Sequence, residues 1–585
     1  MIPNASVLNR LHSNRLHSAA AAAIGTHPGA SPWNNVIAFL CQHASNQPHK
    51  HALLQVTADS LSAWHQDSHQ SLVHEPTTYG QLWQQVLSTA QALRAVGIQP
   101  GDRLLVFVPM SVALYRVLFA VQLLGAAAVF LDSWSRAKHL SACAGQTTPV
   151  AVIAPEAYWS ALQAQPGFES VCHWLPDTIS AGMDSSTEEL LTPVHAETTA
   201  LITFTTGSSG QPKGANRTHR FLAAQHAALN RSLPYTATDL DLPVFPIFSL
   251  NNLAGGVSTV LPAIDLAKPA ATDGALLAAQ LLSTGANTAT LSPSLLRAVS
   301  QWAHQAEVTL PSLRRVATGG APVSTDDARA FFAAAPQSSL HILYGSTEVE
   351  PIAHLEITPK TLDQLAQTGA TGVCVGPLVS GLASLRIRPY RGPVVLEASG
   401  WKPWLVANDD PGELLVSGEH VCDGYFNNPE AFQRAKVVDA DGRVWHRTGD
   451  VVQIDEQNRL WLLGRVHNAI QRANQLLFPL QAELVLKRLP FVREAAYLGL
   501  PDEALGEKAV AVVTVRQECL PAELSHTAPL QDSGWIGQQV MEALQAHQIE
   551  VDAVYVEAQI PMDPRHHSKV EYDQLRQQLL AERSQ

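Results

Sequence analysis

Between Thr78 and Leu131 a helical pattern alternates with short apolar runs, and this alternation constrains the fold more than any other stretch. Thr78-Tyr79-Gly80-Gln81-Leu82 opens an amphipathic helix predicted to reach Val96, where Gly97 stops it and Pro100-Gly101-Asp102 turns the chain. Leu104 to Val108 reads as a strand, Ser111 to Leu124 as a helix ended by Gly125, and Ala127 to Leu131 as a second strand. A β-α-β alternation argues for a layered α/β fold. The same region is the most apolar in the chain, but Pro109, Arg116 and Gln122 interrupt it, so a membrane span is not expected. Upstream, Pro32 to Leu54 reads as helical.

A net charge of −13 leaves no basic footprint, which excludes nucleic acid as an expected partner. The six cysteines (Cys41, Cys143, Cys172, Cys374, Cys422 and Cys519) lack C-x-x-C spacing, so they read as reduced thiols and the expected location is the cytoplasm. The first 30 residues carry Arg10, Arg15 and the run Ala19 to Ala23 without a proper apolar h-region; they read as a leader, disordered or weakly amphipathic.

Chemistry enters at Ala200 to Gly214. Leu201-Ile202-Thr203-Phe204 reads as a buried strand. Thr205, Thr206, Gly207, Ser208, Ser209 and Gly210 follow, Pro212-Lys213-Gly214 closes the loop, and Thr218 is placed to cap a helix through Phe221 to Ala224. A strand, a glycine-rich loop with hydroxyls and one lysine, and then a helix form a way to hold a polyphosphate. Glycines let backbone N–H groups approach the oxygens, and the lysine offsets charge. The loop is not a Walker A motif, because Lys213 stands between Pro212 and Gly214. TTGSSGQPKG instead resembles the phosphate loop of the adenylate-forming superfamily of acyl-CoA synthetases, luciferases and peptide-synthetase adenylation domains.

The other motifs of that superfamily follow in order. Gly319, Gly320, Ala321 and Pro322, in VATGGAP, match the segment that packs against adenine. In LHILYGSTE, the resemblance implies that Tyr344 stacks on adenine and that Thr347, beside Gly345 and Ser346, touches phosphate. It also implies that Glu348 binds Mg²⁺, a hard cation suited to a carboxylate oxygen. In VWHRTGD, Asp450 is implied to grip both ribose hydroxyls, since one carboxylate accepts two hydrogen bonds, and Arg465 to contact the ribose as well. Lys569, in DPRHHSK, matches the mobile lysine that meets the carboxylate and the α-phosphate. In LPVFPIFSL, Pro246 stands where a histidine is common, and Phe245 and Phe248 flank it, so this segment is expected to form an apolar gate at the acyl pocket.

The resemblance implies a large N-terminal AMP-binding domain over 31–464, a hinge at 465–468 and a small mobile α+β C-terminal domain over 469–585. His467 and Asn468 stand where the hinge usually has an aspartate. The implied reaction joins a carboxylate to the α-phosphorus of ATP, with Lys213, Lys569 and Mg²⁺ neutralising the anions. In thioester-forming members a glycine-containing loop past the hinge lines the pantetheine channel; Ile470 to Phe478 lacks that glycine. F-P-I-F, V-W-H-R-T-G-D and D-P-R-H-H-S-K are similar to the β-lactone synthetase branch of bacterial long-chain olefin biosynthesis. That branch implies a 2-alkyl-3-hydroxy fatty acid as the acyl substrate, closed to a β-lactone by its own hydroxyl with release of AMP. It also raises assembly with other enzymes of the same pathway. The alternative is a long-chain acyl-CoA synthetase or a fatty acyl-AMP ligase.

Overall fold

The computed structural model describes residues 35–131, 137–181, 192–206, 212–266, 270–367, 372–407, 410–516, 519, 534–562 and 570–583. Helix α1 (Ala38–Asn46) precedes strand β1 (His51–Val56), which pairs antiparallel with β2 (His74–Thr78). The helical expectation for Pro32 to Leu54 is thereby corrected: the helix stops before Pro48, and ladder pairing with two neighbours makes His51 to Leu54 extended. Helix α2 (Tyr79–Ala95) follows, with Thr78 and Gln81 forming a capping box at its start.

The β-α-β prediction holds. Strands β3 (Arg103–Val106) and β4 (Ala127–Phe130) are parallel neighbours joined through helix α3 (Val112–Leu123). With β5 (Ala151–Ile153), β6 (His173–Leu175), β7 (Thr199–Thr206) and β8 (Pro212–Thr218) they form a sheet of order β6-β5-β3-β4-β7-β8. Only β8 runs antiparallel in it. Strand β8 is a second correction. Lys213 lies on a strand hydrogen-bonded to β7, opposite Thr205, and helix α4 (His219–Ser232), capped by Thr218 as expected, begins only after it.

Strands β9 (Leu240–Pro243), β10 (Ser258–Val260), β11 (Thr288–Leu291), β12 (Arg315–Gly319), β13 (Ser339–Ser346) and β14 (Val349–Ile357) join β1 and β2 in a second sheet. Its order is β14-β13-β12-β11-β9-β10-β1-β2, parallel inside and antiparallel at each edge. Helix α5 (Pro246–Ala254) leaves the end of β9. A third, antiparallel sheet holds β15 (Val373–Pro377), β16 (Leu382–Ile387), β17 (Gly412–Gly418), β18 (Lys436–Val438), β19 (Val444–Ile454) and β20 (Arg459–Arg465). A fourth sheet is built wholly after residue 469: β21 (Ile470–Arg472), β22 (Gln475–Leu477), β23 (Val492–Asp502), β24 (Gly506–Val515) and β25 (Ala553–Val556). Helices α6 (Pro479–Lys487) and α7 (Tyr572–Arg583) flank it, and a core of its own, including Leu486, Tyr497, Val513 and Val540, lies against the sheet. No helix among the described residues is long and apolar enough to cross a membrane.

Candidate active site

The VATGGAP, YGSTE and RTGD segments meet where the parallel strands of the second sheet end, the position at which α/β sheets bind ligands. At the end of β12 a Cβ on Gly319 would stand 2.3 Å from the Leu343 carbonyl, so only glycine permits β12 and β13 to approach this closely. Gly320 turns the chain out at φ +82°, and Ala321 and Pro322 follow on the accessible side. The result is a strip of bare backbone, suited to a flat ring.

Beside it, Tyr344 at the end of β13 is buried and its hydroxyl donates to Asp450 Oδ2 at 2.7 Å. Burial and the Asp450 charge push the phenol pKa well up, so Tyr344 stays a proton donor. Asp450 Oδ1 lies 2.8 Å from Arg465 Nε, because β19 and β20 place the two residues opposite each other. The Asp450 amide donates to Thr448 Oγ1 at 3.0 Å, and Gly449, at φ +71°, provides the bend that aims the carboxylate. Tyr344, Asp450 and Arg465 therefore form one hydrogen-bonded group, with the arginine side chain half-exposed.

Glu348 starts the return from β13 to β14. A Cβ on Gly345 would meet the Val349 carbonyl at 2.8 Å, which explains why this tight hairpin needs glycine. The Glu348 carboxylate is buried, and the Tyr425 hydroxyl donates to its Oε1 at 2.7 Å. Burial opposes its ionisation, but His446, Tyr425 and the Lys436 ammonium outweigh burial and hold the carboxyl at about 2. Among the described residues Oε2 has no side-chain hydrogen-bond partner. An ionised carboxylate with one oxygen committed and one open is a donor that Mg²⁺ accepts, so the residue fits the metal expected of it. Arg217, buried on β8, donates from Nη2 to the Thr347 carbonyl at 2.8 Å and ties the β7–β8 pair to the YGSTE turn.

Phe248 is buried near the start of α5 against Leu229, Leu233, Ala317 and Leu343, with the Phe245 ring 6.2 Å away. Pro246 is the first residue of that helix. This apolar cluster adjoins β12 and β13 close to Gly319 and Tyr344. Gly207, Ser208, Ser209, Gly210 and Lys569 lie outside the described residues, and so does the side chain of Thr206. Sequence reasoning assigned no role to Arg217, Tyr425, Lys436 or His446. An arginine next to the end of a strand and a lysine after a short helix carry no local signal; only the long-range pairing of β8 with the 424–426 segment and of β18 with β19 brings them here.

The family model of the AMP-binding enzymes matches residues 42–426. An olefin β-lactone synthetase of Stenotrophomonas maltophilia (strain K279a) is 28% identical over 85% of this chain and 90% of its own. One of Xanthomonas campestris pv. campestris is 31% identical over 72% of this chain and 78% of its own. The solved structure of ATP-bound MatB from Rhodopseudomonas palustris superposes with a TM-score of 0.72 at 20% identity, over 93% of this chain and 98% of that one, a likeness of fold.

Proposed function

The chain belongs to the family of AMP-binding enzymes and is an adenylate-forming ligase, and from that premise we propose that it activates a long-chain 2-alkyl-3-hydroxy acid and closes it to a β-lactone. The observation that carries this reading is the likeness to two olefin β-lactone synthetases over most of each chain. The hairpin of β21 and β22 supports it. Its turn is Ala473-Asn474, with Ala473 at φ +50°, and the glycine typical of thioester-forming relatives is missing. An internal hydroxyl acceptor does not need a pantetheine channel.

In the first step a carboxylate oxygen of the acid bonds to the α-phosphorus of ATP, and the bond to pyrophosphate breaks. Asp450 accepts from the ribose hydroxyls, Arg465 and Tyr344 fix that carboxylate, and the Gly319–Gly320 backbone takes the base. Lys213 and Lys569 offset the repulsion between the two anions. Glu348 would hold Mg²⁺, which supplies charge neutralisation at the phosphates. In the second step the β-hydroxyl oxygen bonds to the acyl carbon, the bond to AMP breaks, and the hydroxyl proton leaves to water. Proximity favours this closure while four-membered ring strain opposes it, so the activated adenylate must drive it. Phe245 and Phe248 wall the alkyl chains.

The test incubates the protein with ATP, Mg²⁺ and a racemic 2-alkyl-3-hydroxy acid, with and without CoA, and follows AMP and the organic product. A β-lactone and AMP formed without CoA are the expected result. AMP released only with CoA, with a thioester as product, would overturn the lactone reading in favour of an acyl-CoA synthetase.

A further inference from the structure

Behind Glu348 lies a group of buried polar side chains that the reaction steps above do not use. Lys436, on β18, is 3% exposed, and its ammonium donates to the Cys422 carbonyl. The Cys422 amide in turn donates to the Glu348 carbonyl oxygen at 2.7 Å. The Tyr425 ring lies 5.8 Å from Lys436 Nζ, and its hydroxyl is the donor to Glu348 Oε1. His446, paired with Lys436 across β18 and β19, is buried, and its Nδ1 has no hydrogen-bond partner among the described residues. On the other side Arg217 is 4% exposed and held to the Thr347 carbonyl, and its Nε has no partner among the described residues.

An ammonium taken out of water costs several kcal/mol unless an anion compensates it. Backbone bonds also hold the 421–425 segment: the Asn216 amide donates to the Gly424 carbonyl and the Phe426 amide to the Gly214 carbonyl. Burial lowers the pKa of Lys436, and the neighbouring Cys422 and Glu348 oppose that by favouring the charged form. A carboxylate free to rotate can offer a cation either oxygen or both. One whose Oε1 accepts a fixed tyrosine hydroxyl offers Oε2 in a single direction.

We propose that Tyr425 and Lys436 are positioning residues for Glu348: Tyr425 occupies Oε1 so that Oε2 alone meets the nucleotide's divalent cation, and Lys436 anchors the segment that carries Tyr425 while compensating the carboxylate charge. The proposal rests on the reading that Glu348 holds that cation. Partners in this outer position ordinarily change metal affinity by about 10–100-fold.

The experiment measures Mn²⁺ binding to the full-length, ATP-loaded protein by the electron paramagnetic resonance signal of free Mn²⁺, in the absence of acid substrate so that ATP is not consumed. ATP binding is measured alongside without metal, by calorimetry. Wild type, Glu348→Gln, Tyr425→Phe, Lys436→Met and Lys436→Arg are compared. The expected result is a roughly 10-fold or greater weakening of Mn²⁺ binding in Tyr425→Phe, with metal-free ATP affinity unchanged, and a similar weakening in Lys436→Met that Lys436→Arg partly restores. If Glu348→Gln binds Mn²⁺ as wild type does, the metal reading of Glu348 fails and takes the proposal with it. If Glu348→Gln weakens binding but Tyr425→Phe does not, the reading stands and the positioning role is overturned. Tyr425→Phe keeps the ring, so it decides the matter even if Lys436→Met does not fold.

Discussion

Glu348 and Glu483 make an instructive pair. Both are buried glutamates, and each accepts a tyrosine hydroxyl: Glu348 from Tyr425, and Glu483, on α6 in the part of the chain after residue 469, from Tyr572. Glu483 also accepts the Tyr497 amide at 3.2 Å. Yet burial leaves Glu483 raised to about 7, in spite of Lys487 and these hydrogen bonds, while Glu348 is held at about 2. The tyrosine is common to both, so it does not set the difference. What differs is the surroundings, since a buried ammonium, Lys436, and a buried imidazole, His446, whose own pKa burial pulls down to about 3, lie beside Glu348, whereas Glu483 has a lysine one helical turn away. The protein stabilises an anion where a cation and phosphates are expected, and near neutral pH leaves the other carboxyl between its two forms.

The largest effect expected from this contrast is at the first glutamate. Glu348→Gln keeps shape and hydrogen-bonding capacity but removes the charge. Loss of one group that stabilises developing charge costs about 10²–10³-fold in rate. ATP–pyrophosphate exchange driven by the acid substrate should fall by about that factor, and the same exchange measured on Glu483→Gln should stay within a few-fold of wild type. Equal losses in the two variants would erase the functional distinction between the glutamates.

The two sites also differ in how far the sequence disclosed them. Glu348, Tyr344, Asp450 and Arg465 were singled out because each lies in a short run that resembles a superfamily motif, and what the structure adds is that Tyr344, Asp450 and Arg465 are bonded together. Tyr425 is 77 residues from Glu348, and no local pattern announces a hydrogen bond of that span. The β-α-β order from β3 to β4 was readable from periodicity, because Leu104 to Val106 and Ala127 to Phe130 are apolar runs bounded by turns. Strand β8 was not: Pro-Lys-Gly-Ala-Asn-Arg-Thr has little strand propensity, and pairing with β7 decides its conformation. The same holds for His51 to Leu54, a helical continuation by composition that the sheet claims.

The next effect, in stability, belongs to Glu483. Its folded-state pKa of about 7 stands above the ordinary value of 4.5, so the folded state holds the proton more tightly than the unfolded chain. The stability it contributes is therefore complete below about pH 4.5 and is lost as the pH rises through about 7. The size is on the order of 3 kcal/mol. Glu483→Gln, neutral at every pH, should match wild type near pH 4.5 and become the more stable of the two by pH 8. Hydrogen exchange in peptides covering α6 and β23, compared between the two proteins at matched pH, reads this directly. A difference that stays constant with pH would mean that Glu483 is ionised throughout, as Glu348 is.

The smallest effect separates the two tyrosines. A hydrogen bond to a neutral group contributes about 0.5–1.5 kcal/mol and one to a charged group about 1.5–3 kcal/mol. Tyr572→Phe should therefore cost about 1 kcal/mol near pH 5, where Glu483 carries its proton, and about 2 kcal/mol at pH 8, where it does not. The matching change at Tyr425 should cost the same at both values, because Glu348 remains an anion across that range. Exchange in peptides spanning α7 for the first variant, and in those spanning 421–426 for the second, supplies the measurement. A pH-dependent cost at Tyr425 would place Glu348 in the same regime as Glu483, and the contrast between the sites would then have to come from their position beside the nucleotide instead of from their charged neighbours.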